Sequence, residues 1–305
     1  MSTLGVVGEC MLEFRGQSGS YNLGYGGDVF NTAVYATRLG LDVKFFSATG
    51  DDNFSRYLME AWKNEGVATE TVRTISGLTP SLYIIKTDDA GERTFHYWRE
   101  ASPFKQWLSS GDYLQNLQST MRSCEFIYYS GISLALLPDE GKEILLSQVK
   151  EYRKAGGQVG FDPNYRPRLW PCSAEAATWI DRAYANCDIA FPSLDDEVVL
   201  RGEQSQDNLF AHIGGLGAKE IVVKNGDCGA TVKFNGELQS IAADLVDTVI
   251  DTTAAGDSFN GAYLSTRLNG GSPVASAKLG CKVAATVIQH RGAIISANVR
   301  LVEPS

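Results

Sequence analysis

Asp251-Thr-Thr-Ala-Ala-Gly-Asp-Ser-Phe-Asn-Gly-Ala-Tyr263 is the stretch on which the reading of this chain turns. It follows Val246 to Ile250, which reads as a short strand, and Asp251 to Ala255 has the composition of a turn. From Gly256 onward, Phe259, Ala262, Tyr263 and the run Ser265 to Leu268 fit one face of a helix. A helix starting here directs free backbone N–H groups and the positive end of its dipole at whatever lies in front of it, which stabilises phosphate charge. Asp257 falls in that first turn, where a carboxylate can take the proton of a hydroxyl attacking a phosphoryl group. The same residues also read as an ordinary helix start, with Asp251 as N-cap and Asp257 complementing the dipole.

Around this stretch the chain alternates. Candidate strands at Leu4 to Gly8, Val43 to Ala48, Phe126 to Tyr129, Gln158 to Phe161, Ile189 to Phe191 and Ile221 to Val223 are separated by helical patterns. Those helices include Val29 to Leu39, Phe54 to Glu65, Glu140 to Lys154, Ala174 to Tyr184 and Val274 to Gln289. Such alternation implies an α/β fold, a doubly wound, mostly parallel sheet with helices on both faces and ligands beyond the carboxyl ends of the strands. Two segments, about 11–27 and 70–99, break the rhythm with alternating runs such as Ser81-Leu-Tyr-Ile-Ile-Lys86 and Arg93-Thr-Phe-His-Tyr-Trp98. They read as short antiparallel strands, forming either a lid that keeps water from a transferring phosphate or a plain edge hairpin. No repeat or Pro-rich linker marks a boundary, so residues 1–305 are expected to form one domain.

Composition narrows the classes. Across 305 residues, 44% hydrophobic and 21% charged content is that of a globular chain, and a net charge of −9 without basic runs argues against nucleic acid or anionic membrane as partner. The six cysteines stand far apart with no Cys-x-x-Cys pair, which predicts reduced thiols and no structural zinc. Met1 to Leu12 carries Glu9 inside its apolar run and reads as a first strand, not a signal peptide, and no apolar run reaches the length of a membrane span. The expected location is the cytoplasm.

The phosphate and nucleophile motifs of P-loop, dinucleotide-binding, protein-kinase, Ser-hydrolase and zinc-protease chains are absent, which leaves the helix start at 254–257 as the phosphate device. Gly26-Gly-Asp-Val-Phe-Asn31 places paired glycines before a helix, with Gly27 open to close approach and Asp28 and Asn31 able to bond hydroxyls; as a bare pattern it is also an ordinary turn and cap. Arg99 and Arg166 each offer a planar fork to a carboxylate, with Tyr83 and Tyr97 to complete the shell, unless each arginine is exposed or paired to a nearby acid. Asp195, Asp196 and Glu197 are three adjacent carboxylates that either organise the water shell of magnesium or form a solvated helix start.

The stretch 251–259 is similar to the Asp-Thr-Thr-Gly-Ala-Gly-Asp-Ser-Phe signature of the ribokinase-like (phosphofructokinase-B) sugar kinases, with Ala254 in place of the first Gly. Gly26, Gly27 and Asn31 match that family's Gly-Gly-x-x-x-Asn sugar motif in the expected order. The resemblance spans essentially the whole chain. It implies a ribokinase-like fold, an anion hole made by Ala254, Ala255, Gly256 and Asp257, and Asp257 as general base. Phe95-His-Tyr-Trp-Arg99 with Phe161-Asp-Pro-Asn-Tyr-Arg-Pro-Arg168 resembles the 2-keto-3-deoxygluconate kinase branch, which implies that Tyr83, Tyr97, Arg99, Asn164 and Arg166 hold a sugar acid. Ser193 and Asp196 occupy the positions of the family's Asn-x-x-Glu element, and Lys224-Asn-Gly226 resembles its Lys-x-Gly at the ATP phosphates. By the same resemblance Ser193, Lys224, Gly226, Ala254 and Gly256 face ATP, and Asp196 and Glu197 serve Mg2+ through water. Cys281 to Ile288 and Gly292 fall where adenine lies. The expected activity is ATP-dependent phosphorylation of 2-keto-3-deoxy-D-gluconate at its 6-hydroxyl. Acceptors such as fructose, ribose, a nucleoside or the galactonate epimer, or a catalytically silent sugar-binding role, stay open. The family also admits a monovalent cation such as K+ and a homo-oligomer formed through the lid sheet.

Overall fold

The computed structural model describes residues 2–17, 20–87, 93–203 and 205–302. The strand β1 (Thr3–Val7) is followed by β2 (Met11–Gln17), β3 (Ser20–Gly26), α1 (Asp28–Arg38) and β4 (Asp42–Phe46). Next come β5 (Ala48–Thr49), α2 (Asn53–Asn64), β6 (Arg73–Thr74), β7 (Leu82–Thr87) and β8 (Arg93–Trp98). The middle of the chain runs α3 (Gly111–Met121), β9 (Phe126–Ser130), α4 (Gly131–Leu136), α5 (Asp139–Lys154), β10 (Gln158–Asp162), α6 (Ser173–Tyr184) and β11 (Ile189–Ala190). It continues through α7 (Leu194–Arg201), α8 (Gln206–Leu216), β12 (Glu220–Lys224), β13 (Ala230–Phe234) and β14 (Glu237–Ile241) to α9 (Ala255–Leu268) and α10 (Pro273–Val287).

The main sheet has the order β14-β13-β12-β11-β10-β9-β1-β4. Its strands from β4 to β12 are parallel, and β13 and β14 add an antiparallel edge. Strands covered on both faces read as unbroken apolar runs, as Phe126-Ile-Tyr-Tyr129 does, and their alternate residues enter opposite layers. Ile127 and Tyr129 pack among Trp107, Phe161, Tyr184 and the buried residues of α5, α6 and α8. Phe126 and Tyr128 pack on the other side with Phe30, Trp62 and Tyr263 from α1, α2 and α9.

Beside this layer lies a second sheet of order β3-β2-β7-β8. Its outer pairs are antiparallel hairpins, while β2 and β7 run parallel because a long excursion through β4 and α2 separates them. The alternation places Met11, Tyr83, Phe95 and Tyr97 on the face that covers the main cavity.

One expected strand is absent: residues 246–250 have no regular structure. The sheet ends at β14 and offers this segment no partner strand, and the N–H groups of Ile250 and Asp251 both turn to the carbonyl of Ile288, the residue that caps the C-terminus of α10. Helix α9 packs between α1 and α10. Gly261 permits this closeness, since a Cβ there would stand 2.7 Å from the Thr32 carbonyl and 2.9 Å from Tyr35 Cβ.

Candidate active site

The loop before α9 is shaped by Asp251, whose Oδ1 accepts from Thr253 N at 2.9 Å and Oδ2 from Gly292 N at 2.9 Å. Ala254 is the N-cap and adopts the left-handed conformation (φ 61°, ψ 18°) that a Gly would take with less strain. The first α-helical bond runs from Ser258 N to Ala254 O at 2.8 Å, and Ala255 N turns back to Thr252 O at 3.2 Å. The N–H groups of Gly256 and Asp257 belong to the first turn, which has no intrahelical acceptors, and both residues line the cavity.

Asp257 is held against α1. Asn31 Nδ2 donates to its Oδ2 at 2.8 Å, Gly27 N donates to Asn31 Oδ1 at 3.4 Å, and Thr32 Oγ1 donates to the Asp257 carbonyl at 3.2 Å. Burial, with the Asp28 carboxylate close by, pushes the Asp257 carboxyl up to about 8, against the Asn31 hydrogen bond and Lys224, which pull it down. Burial likewise raises Asp28, whose Oδ2 accepts from Asn164 Nδ2 at 3.0 Å. A carboxyl with such a value titrates near neutrality, where a base must both hold and release a proton.

The strand ends supply the charges, as the doubly wound topology dictates. Asp162 ends β10 and Lys224 ends β12; Lys224 Nζ lies 2.5 Å from Asp162 Oδ2, which also accepts from Asn260 Nδ2 of α9 at 2.6 Å. Lys224 therefore stands over the helix start, 3.5 Å from where a Cβ of Gly256 would be. On the other side, Arg166 Nη1 reaches Asp196 Oδ1 at 3.1 Å and Arg99 Nε reaches the buried Glu9 Oε2 at 2.8 Å. The arginines are thus paired to acids, and both still line the cavity; each guanidinium has more N–H donors than one acid uses. Tyr83 and Tyr97 stack at 5.7 Å, and the Arg168 guanidinium lies 3.8 Å from the Tyr97 ring centre.

This cavity, about 510 Å³, gathers Gly27, Asp28, Asn31, Tyr83, Tyr97, Arg99, Asn164, Arg166, Ser193, Asp196, Lys224, Gly226, Ala254, Ala255, Gly256 and Asp257, residues drawn from every part of the chain. A second cavity of about 500 Å³ shares Lys224, Gly226, Ala255 and Gly256 with it and is walled by Val246, Val249, Phe259, Cys281, Ala284, Ala285 and Ile288. The helix start is thus the partition between a polar cavity and an apolar one.

Two expectations fail. Glu197 is buried away from the cavity, accepting from Tyr184 Oη at 2.6 Å and Arg201 Nε at 2.8 Å, because one residue along α7 turns the side chain about 100° from Asp196. Gly292 lies outside the apolar cavity and instead donates its N–H to Asp251. Three further residues belong to the site. Asp162 ends a legible strand, Arg168 follows Arg166 by two positions, and Glu9 is a charge inside an apolar run. The carboxylate in the apolar run was the one signal by which Glu9 could have been found.

Among the described residues, no group of three or more His, Cys, Asp and Glu side chains is placed to hold a metal directly, and no helix is long and apolar enough to cross a membrane. Asp195 and Asp196 do line the polar cavity. They fit a magnesium ion that keeps most of its waters and is held chiefly by phosphate oxygens.

A sheet with helices on both faces, a covering sheet, and a buried carboxyl at a helix start between two cavities are the arrangement of a kinase that moves phosphate from a nucleotide to a small polar acceptor. The chain belongs to the pfkB family of carbohydrate kinases, whose model matches residues 1–300. It is 44% identical over 299 residues to the 2-dehydro-3-deoxygluconokinase of Dickeya dadantii (strain 3937), and 42% identical to that of Escherichia coli (strain K12), with 96% of each chain covered in both cases. In fold it is similar to a putative ribokinase II from E. coli solved in complex with ATP and Mg2+, with a TM-score of 0.84, 21% identity, and 96% and 94% of the two chains covered. The enzyme is an ATP-dependent carbohydrate kinase.

Proposed function

We propose that this kinase phosphorylates 2-keto-3-deoxy-D-gluconate (2-dehydro-3-deoxy-D-gluconate) on its 6-hydroxyl. The observation that carries the substrate is the set Arg99, Arg166, Tyr83 and Tyr97 lining the same cavity as Asp257, with Arg168 stacked on Tyr97. A neutral sugar gives no reason for so many cationic donors, whereas a carboxylate at the far end of the acceptor does. The two curated relatives carry the same activity in their names over 96% of their length.

In this reading Asp28, Asn31 and Asn164 bond the sugar hydroxyls, and Gly27 lets the chain pass close beneath them. Asp257 takes the proton of the 6-hydroxyl as it attacks phosphorus. The N–H groups at the start of α9 and the Lys224 ammonium stabilise the charge on the transferring phosphoryl. Asp162 holds Lys224 in place, while Ser193 and Gly226 border the phosphates and the apolar cavity takes the adenine. Asp196 would serve the water shell of a magnesium ion bound with ATP, which would supply further neutralisation of the phosphates. The covering strands in segments 11–27 and 70–99 exclude water from the transfer. On the family resemblance the reading also includes K+ as an activator, one kinase domain over residues 1–305, and the cytoplasm as location.

The test is a coupled assay of the purified chain with ATP, run in K+ and again in choline, against neutral sugars and keto-sugar acids. Turnover of 2-keto-3-deoxygluconate well above fructose and ribose is the expected result. Arg99→Ala and Arg166→Ala should each raise the KM for the sugar acid about tenfold or more while the KM for ATP stays put. Preference for a neutral sugar overturns the carboxylate assignment, and equal rates in the two salts remove K+.

A further inference from the structure

Arg15 sits in neither cavity, yet it joins the walls of both. It lies on β2 of the covering sheet, one turn of the strand beyond Glu13 on the same face. Its Nη2 is buried 3.0 Å from Glu13 Oε1 without the alignment of a hydrogen bond, and its Nη1 is 4.0 Å from Asp251 Oδ2. The guanidinium rests against Gly292, where a Cβ would come within 2.9 Å of Nη1. Each end of this bridge is fixed to something functional. Glu13 Oε2 accepts from Tyr83 Oη at 2.5 Å, and Tyr83 lines the polar cavity. Asp251 holds the loop that leads into Ala254 and the helix start, through Thr253 N and Gly292 N.

We propose that Arg15 is a positioning residue that couples acceptor binding to nucleotide binding. The chain of contacts is Tyr83, Glu13, Arg15, Asp251 and the loop before α9. An acceptor charge that draws the Tyr83 hydroxyl to itself leaves the Glu13 carboxylate with Arg15 as its partner, so Glu13 grips the guanidinium more firmly and fixes it between Glu13 and Asp251. The loop is thereby held in its phosphate-ready shape when the sugar cavity is filled. Coupling of this kind is reciprocal: what the acceptor does for the nucleotide, the nucleotide does for the acceptor.

The proposal rests on the sugar-acid reading only through the ligand used, and wild-type turnover of 2-keto-3-deoxygluconate, measured first, tests that reading by itself. If another acceptor is turned over instead, it takes the sugar acid's place in the titrations. A non-hydrolysable ATP analogue with Mg2+ is titrated into the full chain with and without saturating acceptor, for wild type, Arg15→Gln and Arg15→Lys. The wild type should bind the analogue about fivefold or more tightly when the acceptor is present. Arg15→Gln should lose that gain while each ligand's separate affinity stays within about twofold, and Arg15→Lys should restore part of it. A wild type with no gain, an Arg15→Gln protein that keeps it, or one that weakens the analogue equally with and without acceptor overturns the proposal. Should Arg15→Gln not fold, Glu13→Gln breaks the same path, and an intact gain in that variant is equally decisive against it.

Discussion

Asp257 shows how a residue's surroundings decide its use. In water an aspartate is a weak base, whereas here burial and Asp28 raise its carboxyl to about 8. A protonated carboxyl cannot accept the hydroxyl proton, so kcat/KM of the free enzyme should climb with pH through this region, and a flat profile from about pH 6 to 9 counts against the assignment. Asp257→Ala should bind both ligands and turn over about 10²- to 10⁴-fold more slowly. The same shift affects stability. The folded chain keeps this proton up to about 8 while the unfolded chain releases it near 3.8, so the group's contribution is full below 3.8 and is lost as pH rises through 8. Asp257→Asn should therefore raise Tm over wild type at about pH 8–9 and leave it unchanged near about pH 4, which differential scanning at the two pH values reads directly. Arg99 and Arg166 are each paired to an acid, Glu9 or Asp196, that satisfies part of the guanidinium before any substrate arrives.

At the scale of elements, the site depends on how closely α9 lies on α1. Asn31 can reach Asp257 because Gly261 leaves no side chain between the helices. Gly261→Ala would press a methyl group to within 2.7 Å of the Thr32 carbonyl. It should destabilise the fold by about 1–3 kcal/mol and lower kcat more than either KM, because the displaced helix carries the base with it. Thermal melts and steady-state kinetics check both, and an unchanged kcat would separate helix packing from catalysis. The small sheet divides its work by face. One face presents Met11, Tyr83, Phe95 and Tyr97 to the cavity, while Tyr21, Leu23, Ile84 and Trp98 share the opposite face, with Tyr21, Leu23 and Trp98 exposed.

That outer face is a property of the whole molecule. An apolar surface on a covering sheet is suited to a second copy of the chain, and we propose that the sheet of one protomer packs on that of its partner. Leu23→Glu would place charge in the middle of this face, and analytical ultracentrifugation should then find a monomer where the wild type sediments as a dimer. A wild-type monomer at micromolar concentration rejects the interface.

Much of the architecture was legible because it is written in local periodicity. The strands β1, β9, β10 and β12 and the helices α1, α2, α5, α6 and α10 stand within a residue or two of where apolar spacing placed them. Residues 246–250 misled for the same reason: their Val and Ile residues suit a strand, and here Val246 and Val249 wall an apolar cavity instead of entering the sheet. Local pattern left Asp257, the paired glycines and the two arginines readable equally as a helix cap, a turn and surface ion pairs, and it was the resemblance to the sugar-kinase signatures that singled them out. What pattern alone did not decide is which neighbours meet. That Asp162 grips Lys224, that Glu9 holds Arg99, that Glu197 turns inward while Asp196 faces the cavity, and that Arg15 lies against Gly292 follow from chain segments tens to hundreds of residues apart being brought to one end of a sheet. Covalent sequence carries the chemistry and period of each element; the proximity that shifts a carboxyl by several pH units exists only once burial and packing have excluded water from between them.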